Sequence, residues 1–320
     1  MKTAIVPVQA ATPAVDIMPA DTNPALVYLA SLGRNSRSTM TSALQKIAQL
    51  LGASDMRVVD WAAIRFQHAT ALRSQLASQY SADTTNRMLA ALRGTLRAAW
   101  KLEMISAEDY QRAISVKNVI GETLPAGRAL TSGEIVALLE ACMLDPSPAG
   151  ARDAAILALL RACGLRRAEA CTLTVADYVE TDGALKVRGK RNKERLVYLA
   201  GGAKDALEDW LAVRGTNDGP IFVPVDKGGS ITRRQMDPKA IFNMLRKRAA
   251  QANVTDLSPH DLRRTFVSDL LDAGADIATV QKLAGHSSVN TTARYDRRPE
   301  EAKRKALSLL HVPYRRRERT

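Results

Sequence analysis

The chain has 320 residues, 46% of them hydrophobic and only 4% aromatic, enough for two domains with separate cores. No run of about 18 apolar residues occurs, so a membrane-spanning helix is not expected. Lys and Arg number 46 against 33 acidic residues, a net charge of +13, which points to a polyanionic partner, nucleic acid first, or else to a basic protein without one. Cys142, Cys163 and Cys171 are odd in number and sit in apolar text, which suits buried thiols in a reducing cytoplasm better than a disulfide framework.

Residues 1–22 carry Pro and Ala without periodicity and read as a flexible tail; Pro7 and Pro13 interrupt the apolar text and favour a leader over a signal peptide. Residues 23–120 read as helical throughout. Met40, Leu44, Ile47 and Leu51 recur at helical spacing, as do Leu89, Leu92, Leu96 and Trp100, and each set predicts a core-facing stripe. Arg93, Arg97 and Lys101 fall four apart beside the second stripe and form a basic ribbon, either a solvated face or a contact to a phosphate backbone.

GETLPAG, with two glycines and a proline, places a linker at 121–128. The second domain, 129–312, opens on Thr131-Ser132-Gly133-Glu134, a capping-box pattern, followed by Ile135, Leu138, Leu139 and Cys142 at helical spacing. Ala151 to Cys163 predicts a buried helix that stops at Gly164. ALKVRG and ERLVYL flank Lys190-Arg191-Asn192-Lys193 and predict a hairpin with a basic turn, with Ile221–Pro224 as a short further strand. Helix returns after Asp237, and 313–320 is a basic tail. The predicted fold class is mainly α with a small antiparallel β-sheet, in two domains.

Five short pieces carry chemistry. In GLRRAEA, Arg166 stands at a turn between helices, and Glu169, three residues on, can hold its guanidinium by a paired hydrogen bond or form a plain surface ion pair. Lys190 sits at the hairpin tip, where a lysine is usually just solvated. In SPHDLRRTF, Ser258 reads as an N-cap, Pro259 as the first helical residue and Asp261 as the capping-box partner. His260 and Arg263 then share a face at a positive helix end, which makes either an anion site or a structural pair. The helix from Asp276 to Ala284, with Ile277, Val280 and Leu283 inward, stops at Gly285 and leaves His286 exposed, and Tyr295 follows nine residues later.

A metal site is not expected from four histidines without HxxxH, HExxH or CxxC, and no P-loop, GxGxxG or nucleophile elbow is present. What remains is two arginines, a lysine, two histidines and a tyrosine. Metal-free phosphoryl transfer needs guanidinium forks for the non-bridging oxygens, an acid for the leaving oxygen and a nucleophile whose phosphate ester can be reversed. That inventory suits DNA strand exchange better than hydrolysis.

The motifs GLRRAE (164–169), RGKRNKERLVYL (188–199), SPHDLRRTF (258–266) and LAGHSSVNTTARY (283–295) resemble those of the tyrosine recombinases, the phage-integrase and Xer-like site-specific DNA recombinases. The resemblance covers residues 24–311, more loosely in the helical first half. It implies a two-domain DNA clamp: a helical, SAM-like core-binding domain plus a tyrosine-recombinase catalytic domain. It implies that Tyr295 attacks the scissile phosphate, that Arg166 and Arg263 hold its oxygens, and that Lys190 protonates the departing 5′-hydroxyl. His260 would serve as base or hydrogen-bonder, His286 would donate to the phosphate, and Glu169 would support them. Arg93, Arg97, Lys101, Arg191, Lys193 and Arg264 are the candidate DNA contacts. No cofactor and no metal are implied. The implied partners are double-stranded DNA with inverted-repeat core sites and a homotetramer joined through a C-terminal exchange helix at 300–310, with room for accessory or directionality factors. The setting would be the bacterial cytoplasm, at the nucleoid, with no membrane partner.

Asp-Arg-Arg after Tyr295 and the N-terminal tail differ from the Xer housekeeping pattern and point to integration or excision of a mobile element. Xer-type resolution of chromosome or plasmid dimers is the alternative, followed by a type IB topoisomerase and a catalytically silent DNA-binding accessory factor. Arg294, Arg297 and Arg298 are left without a role.

Overall fold

A computed structural model describes residues 18–121, 127–189, 193–286, 288–293, 295, 307 and 313. Residues 1–17 of the expected tail, 122–126 of the expected linker, Lys190, Arg191, Arg294, Arg297 and Arg298 lie outside the described residues. So do the expected exchange helix apart from Leu307 and the basic tail apart from Pro313. The chain divides between Leu124 and Pro125 into two compact units.

The first unit holds α1 (Pro24–Ala30), α2 (Arg34–Leu50), α3 (Phe66–Gln79), α4 (Ala82–Lys101) and α5 (Ala107–Ile114). Polar side chains start several of them: Asn23, Ser81 and Ser106 each accept backbone N–H groups of the first turn. α4 packs against the other four helices, and Leu44, Ile47, Leu72, Leu92 and Leu96 are buried where the stripes meet. Two expectations need correction. The helical text is broken between Leu51 and Arg65, where Gly52 takes φ +84 and Asp55 accepts the Arg57 N–H at 2.8 Å. Trp100 does not join the core: it is 40% exposed and stacks on Tyr110 with ring centroids 5.3 Å apart.

The second unit holds α6 (Ser132–Met143), α7 (Pro148–Ala162) and α8 (Arg167–Thr172), then β1 (Tyr178–Val179), β2 (Ala184–Arg188) and β3 (Glu194–Tyr198). After these come α9 (Gly202–Arg214), α10 (Pro238–Gln251), α11 (Pro259–Asp272), α12 (Ile277–Ala284) and α13 (Val289–Ala293). The strands form one antiparallel sheet in the order β1-β2-β3, with Leu185 opposite Val197 and Val187 opposite Arg195. The unit is thus mainly helical with a small antiparallel sheet. α7 is its central rod, apolar on most sides and packed against α6, α8, α9, α10 and α11.

Ile221–Pro224 is not a strand. Ile221, Phe222 and Val223 are fully buried, and their backbone groups pair singly, with Leu173 O, Trp210 Nε1 and Met236 N. The segment threads the core as an irregular plug, because no neighbouring strand offers it a ladder.

Candidate active site

The site is built where helix ends meet. Gly164 ends α7 with φ +55, and a Cβ there would stand 2.3 Å from the Phe266 ring, so only glycine fits the turn. The turn delivers Arg166 as the N-cap of α8. Glu169 closes the capping box: its Oε2 accepts the Arg166 backbone N–H at 3.0 Å and its Oε1 accepts Nη1 at 2.6 Å. Neither a two-pronged grip nor a plain surface ion pair describes the contact: one oxygen reaches the guanidinium, the carboxylate is buried, and its second oxygen accepts both the Arg166 backbone N–H and Arg195. Arg166 Nη2 instead donates to Gly285 O at 3.1 Å. Burial works to raise the Glu169 carboxyl, but the Arg195 guanidinium and the Arg166 contacts outweigh it and hold it below its ordinary range.

Arg195 is a site residue that the sequence did not single out. Its Nη2 donates to Glu169 Oε2 and its Nε to Leu283 O, both at 2.9 Å. The signal was present: Arg195 shares strand parity with buried Val197, so it is an arginine on the core-facing side of β3.

α11 opens as expected, with Ser258 and Asp261 in a capping box and Pro259 in the first turn. Arg263 is 2% exposed. Its Nη1 donates to Gly164 O at 2.5 Å, and its buried Nη2 has no hydrogen-bond partner among the described residues. Burial, then repulsion from Arg166, lowers its pKa to about 10. Arg264, grouped with the DNA contacts in the sequence, is buried, with its guanidinium 5.3 Å from the Tyr295 ring centroid.

Gly285 ends α12 with φ +65, a left-handed cap. The expectation that His286 stands exposed beyond it is overturned: His286 is 8% exposed. The chain folds back through α13, which brings Thr292 Oγ1 to 2.9 Å from His286 Nδ1. Burial, then the charges of Arg263 and Arg166, push the His286 imidazole down to about 4, so it is neutral at ordinary pH. Tyr295 packs partly against the small cluster of Phe266, Val267, Leu271, Val280 and Ala284. Its Oη lies 3.0 Å from His260 Nε2, and its ring stacks on His286 at 6.1 Å. His260 is lowered by desolvation first and by Arg263 and Arg264 next, and its overall exposure lets solvent moderate both effects.

The fold thus gathers Arg166, Glu169, His260, Arg263, Arg264, His286 and Tyr295 from three separate stretches. Lys193 is exposed, and its carbonyl closes the hairpin base by accepting the Gly189 N–H at 2.8 Å. In the first unit, Arg93 donates to Asn118 Oδ1 at 2.9 Å and to Val116 O, and Arg97 Nε donates to Tyr110 Oη at 3.2 Å. These two brace α5 and the segment after it, and Lys101 is exposed at the end of the ribbon. Among the described residues, no group of three or more His, Cys, Asp or Glu side chains is placed to hold a metal ion, and no helix is long and apolar enough to cross a membrane.

The second unit is thus mainly helical, with arginines, two histidines and a tyrosine converging beside a β-hairpin. The chain belongs to the phage integrase family, the tyrosine recombinases that cleave and rejoin DNA, whose family model matches residues 128–301. The tyrosine recombinase XerD of Pseudomonas aeruginosa is 35% identical over 227 residues, which are 69% of this chain and 73% of that protein. The tyrosine recombinase XerC of Pseudomonas fluorescens is 32% identical over 272 residues, 84% of this chain and 88% of that protein. The fold is shared with a lambda integrase dimer bound to a COC′ core site, at TM-score 0.64 and 15% identity over 86% of this chain and 75% of that one. It is shared too with the XerH site-specific recombinase bound to a palindromic difH substrate, at TM-score 0.63 and 20% identity over 91% and 94%.

Proposed function

We propose that this enzyme is a site-specific recombinase with Tyr295 as its nucleophile. The Tyr295 Oη–phosphorus bond forms as the bond from phosphorus to the 5′-oxygen breaks, leaving a 3′-phosphotyrosyl link. The phenolic proton passes to His260 Nε2, 3.0 Å away. Lys190 protonates the departing 5′-hydroxyl. Arg166 and Arg263 neutralise the non-bridging oxygens, His286 donates to one of them, and Glu169 holds Arg166. The observation that carries this reading is the tyrosine–histidine contact beside a buried guanidinium donor that has no partner among the described residues. Such a donor costs about 1–3 kcal/mol unless an anion meets it.

In this reading residues 23–120 form the core-binding domain and 129–312 the catalytic domain. Lys101, Arg191 and Lys193 contact DNA phosphates, while Arg93 and Arg97 shape the surface that Lys101 borders. The protein assembles as a homotetramer on inverted-repeat core sites, through the 300–310 segment, passes through a Holliday junction, and works at the nucleoid in the cytoplasm, with accessory factors setting direction. The Xer relatives match over as much as 84% of the chain. They favour resolution of DNA dimers at least as strongly as the residues after Tyr295 favour integration or excision of a mobile element. A plasmid carrying two candidate sites and a pair of plasmids carrying one each test the two: resolution and excision both convert the first, so joining of the second is the outcome that marks integration.

The chemistry is tested with suicide duplexes carrying candidate sites. Wild type should form a covalent protein–DNA adduct and Tyr295→Phe none; an adduct that persists in Tyr295→Phe removes the nucleophile assignment. Lys190→Ala should bind DNA and cleave slowly, and unchanged cleavage would remove the lysine from its role.

A further inference from the structure

Arg195 closes a ring of contacts around the arginine that faces the phosphate. Its Nη2 and the Arg166 Nη1 take the two different oxygens of Glu169, at 2.9 and 2.6 Å. Its Nε takes Leu283 O at 2.9 Å, while Arg166 Nη2 takes Gly285 O at 3.1 Å, two residues further along. The last carbonyls of a helix lack partners within it and carry partial negative charge, so two guanidinium groups suit the end of α12. Gly285 comes so close that a Cβ there would stand 2.9 Å from Arg195 Nη1. At the hairpin base, a Cβ on Gly189 would stand 3.5 Å from Glu169 Oε1 and 3.9 Å from Arg195 Nη1. The side chain of Arg195 is 11% exposed, so little solvent competes for these contacts.

We infer that Arg195 is a positioning residue for DNA cleavage, fixing the Glu169 carboxylate and the end of α12 so that Arg166 and the turn into His286 keep one geometry. The Arg166 backbone N–H holds the second oxygen only from the carboxylate's own helix end; the Arg195 donor adds a bond to the same oxygen from β3, so the carboxylate is fixed against the sheet as well. The same guanidinium ties the strand leaving the hairpin to the helix that leads to His286. A lysine can supply one of the two Arg195 bonds but not both, because their directions require the planar fork. The inference rests on the proposed reading that Arg166 binds the scissile phosphate.

The test is single-turnover adduct formation on a suicide duplex at saturating DNA, with duplex affinity and melting temperature measured on the same proteins. Arg195→Met should slow cleavage about a hundredfold, the scale of an ångström's misplacement, while its Kd for the duplex stays within about twofold. Arg195→Lys, keeping one bond, should recover to about tenfold below wild type. Cleavage by Arg195→Met within about twofold of wild type overturns the inference. So does a defect that vanishes at saturating DNA, which would make Arg195 a binding residue. Should Arg195→Met fail to fold, the Lys variant decides by the same split of rate against affinity. Wild type that forms no adduct, or Tyr295→Phe that does, sinks the nucleophile reading beneath, a failure distinct from that of Arg195.

Discussion

Arg248 and Arg263 both lie in the second unit, at 0% and 2% exposure, yet their surroundings are opposite. Arg248 is saturated: Asp153 accepts from Nε at 2.9 Å, Asp145 from Nη2 at 2.6 Å, and Ala141 O and Gln251 Oε1 from Nη1. Burial works against its charge, but the Asp145 hydrogen bond and the Asp153 charge outweigh it, and its pKa is raised. Arg263 has a carbonyl on one nitrogen, a donor on another with no partner among the described residues, and a second arginine nearby, and its pKa is lowered. The same residue type at the same depth therefore serves two ends. A guanidinium neutralised by carboxylates suits a structural role; one left short of negative charge suits the anion-binding role proposed for Arg263.

The same substitution at both positions separates them most sharply. Arg263→Met should reduce adduct formation about a thousandfold, as loss of a preorganised donor to a transition-state oxyanion does, while urea unfolding stays close to wild type. Arg248→Met should do the reverse. It leaves Asp153 and Asp145 without their cation, although Arg152 still reaches Asp153 Oδ1 at 2.7 Å. The cost should be about 3 kcal/mol of stability, read from the urea midpoint, with normal cleavage by the folded fraction. A destabilised Arg263→Met with a stable Arg248→Met would invert the comparison.

What the sequence revealed of this site follows sequence distance. The capping boxes at Thr131–Glu134 and Ser258–Asp261 and the helix stops at Gly164 and Gly285 were legible, since each rests on contacts within a few residues. Arg166, His260, Arg263 and Tyr295 were singled out from their motifs, and that they stand close together needed the fold. Arg195 was missed because its partner Glu169 lies 26 residues back and its facing depends on strand register. His286 was placed in solvent because nothing local says that α13 folds back to set Thr292 against it. Ile221–Pro224 has the composition of a strand, and only the lack of a pairing edge makes it a plug.

The histidines extend the comparison to pH. The folded His286 pKa of about 4 lies below the ordinary 6.5, so below pH 6.5 the unfolded chain takes up a proton that the folded chain refuses. The stability this group contributes is whole above pH 6.5 and is lost as pH falls toward 4, by about 2 kcal/mol at pH 5. His260, lowered in the same direction, adds to the slope. His286→Gln removes the titration and should flatten urea midpoints between pH 7 and 5. Equal slopes in wild type and variant would mean that neither burial nor the charges of Arg263 and Arg166 hold the imidazole below its ordinary range.

The smallest effect bears most directly on what distinguishes the two arginines. If Arg166 repels Arg263 and leaves it short of negative charge despite the Glu169 carboxylate beside Arg166, a tetrahedral dianion should bind at Arg263 without DNA. Sulfate should then raise the melting temperature of wild type by an increment worth about 1 kcal/mol at concentrations several times its Kd. Sulfate also stabilises proteins generally through exclusion from their surfaces, so the wild-type shift alone decides nothing. The difference does: Arg248→Met should keep the specific increment, since its guanidinium is already neutralised, and Arg263→Met should show only the general one. Identical increments in all three proteins would show that the buried Arg263 donor does not draw an anion.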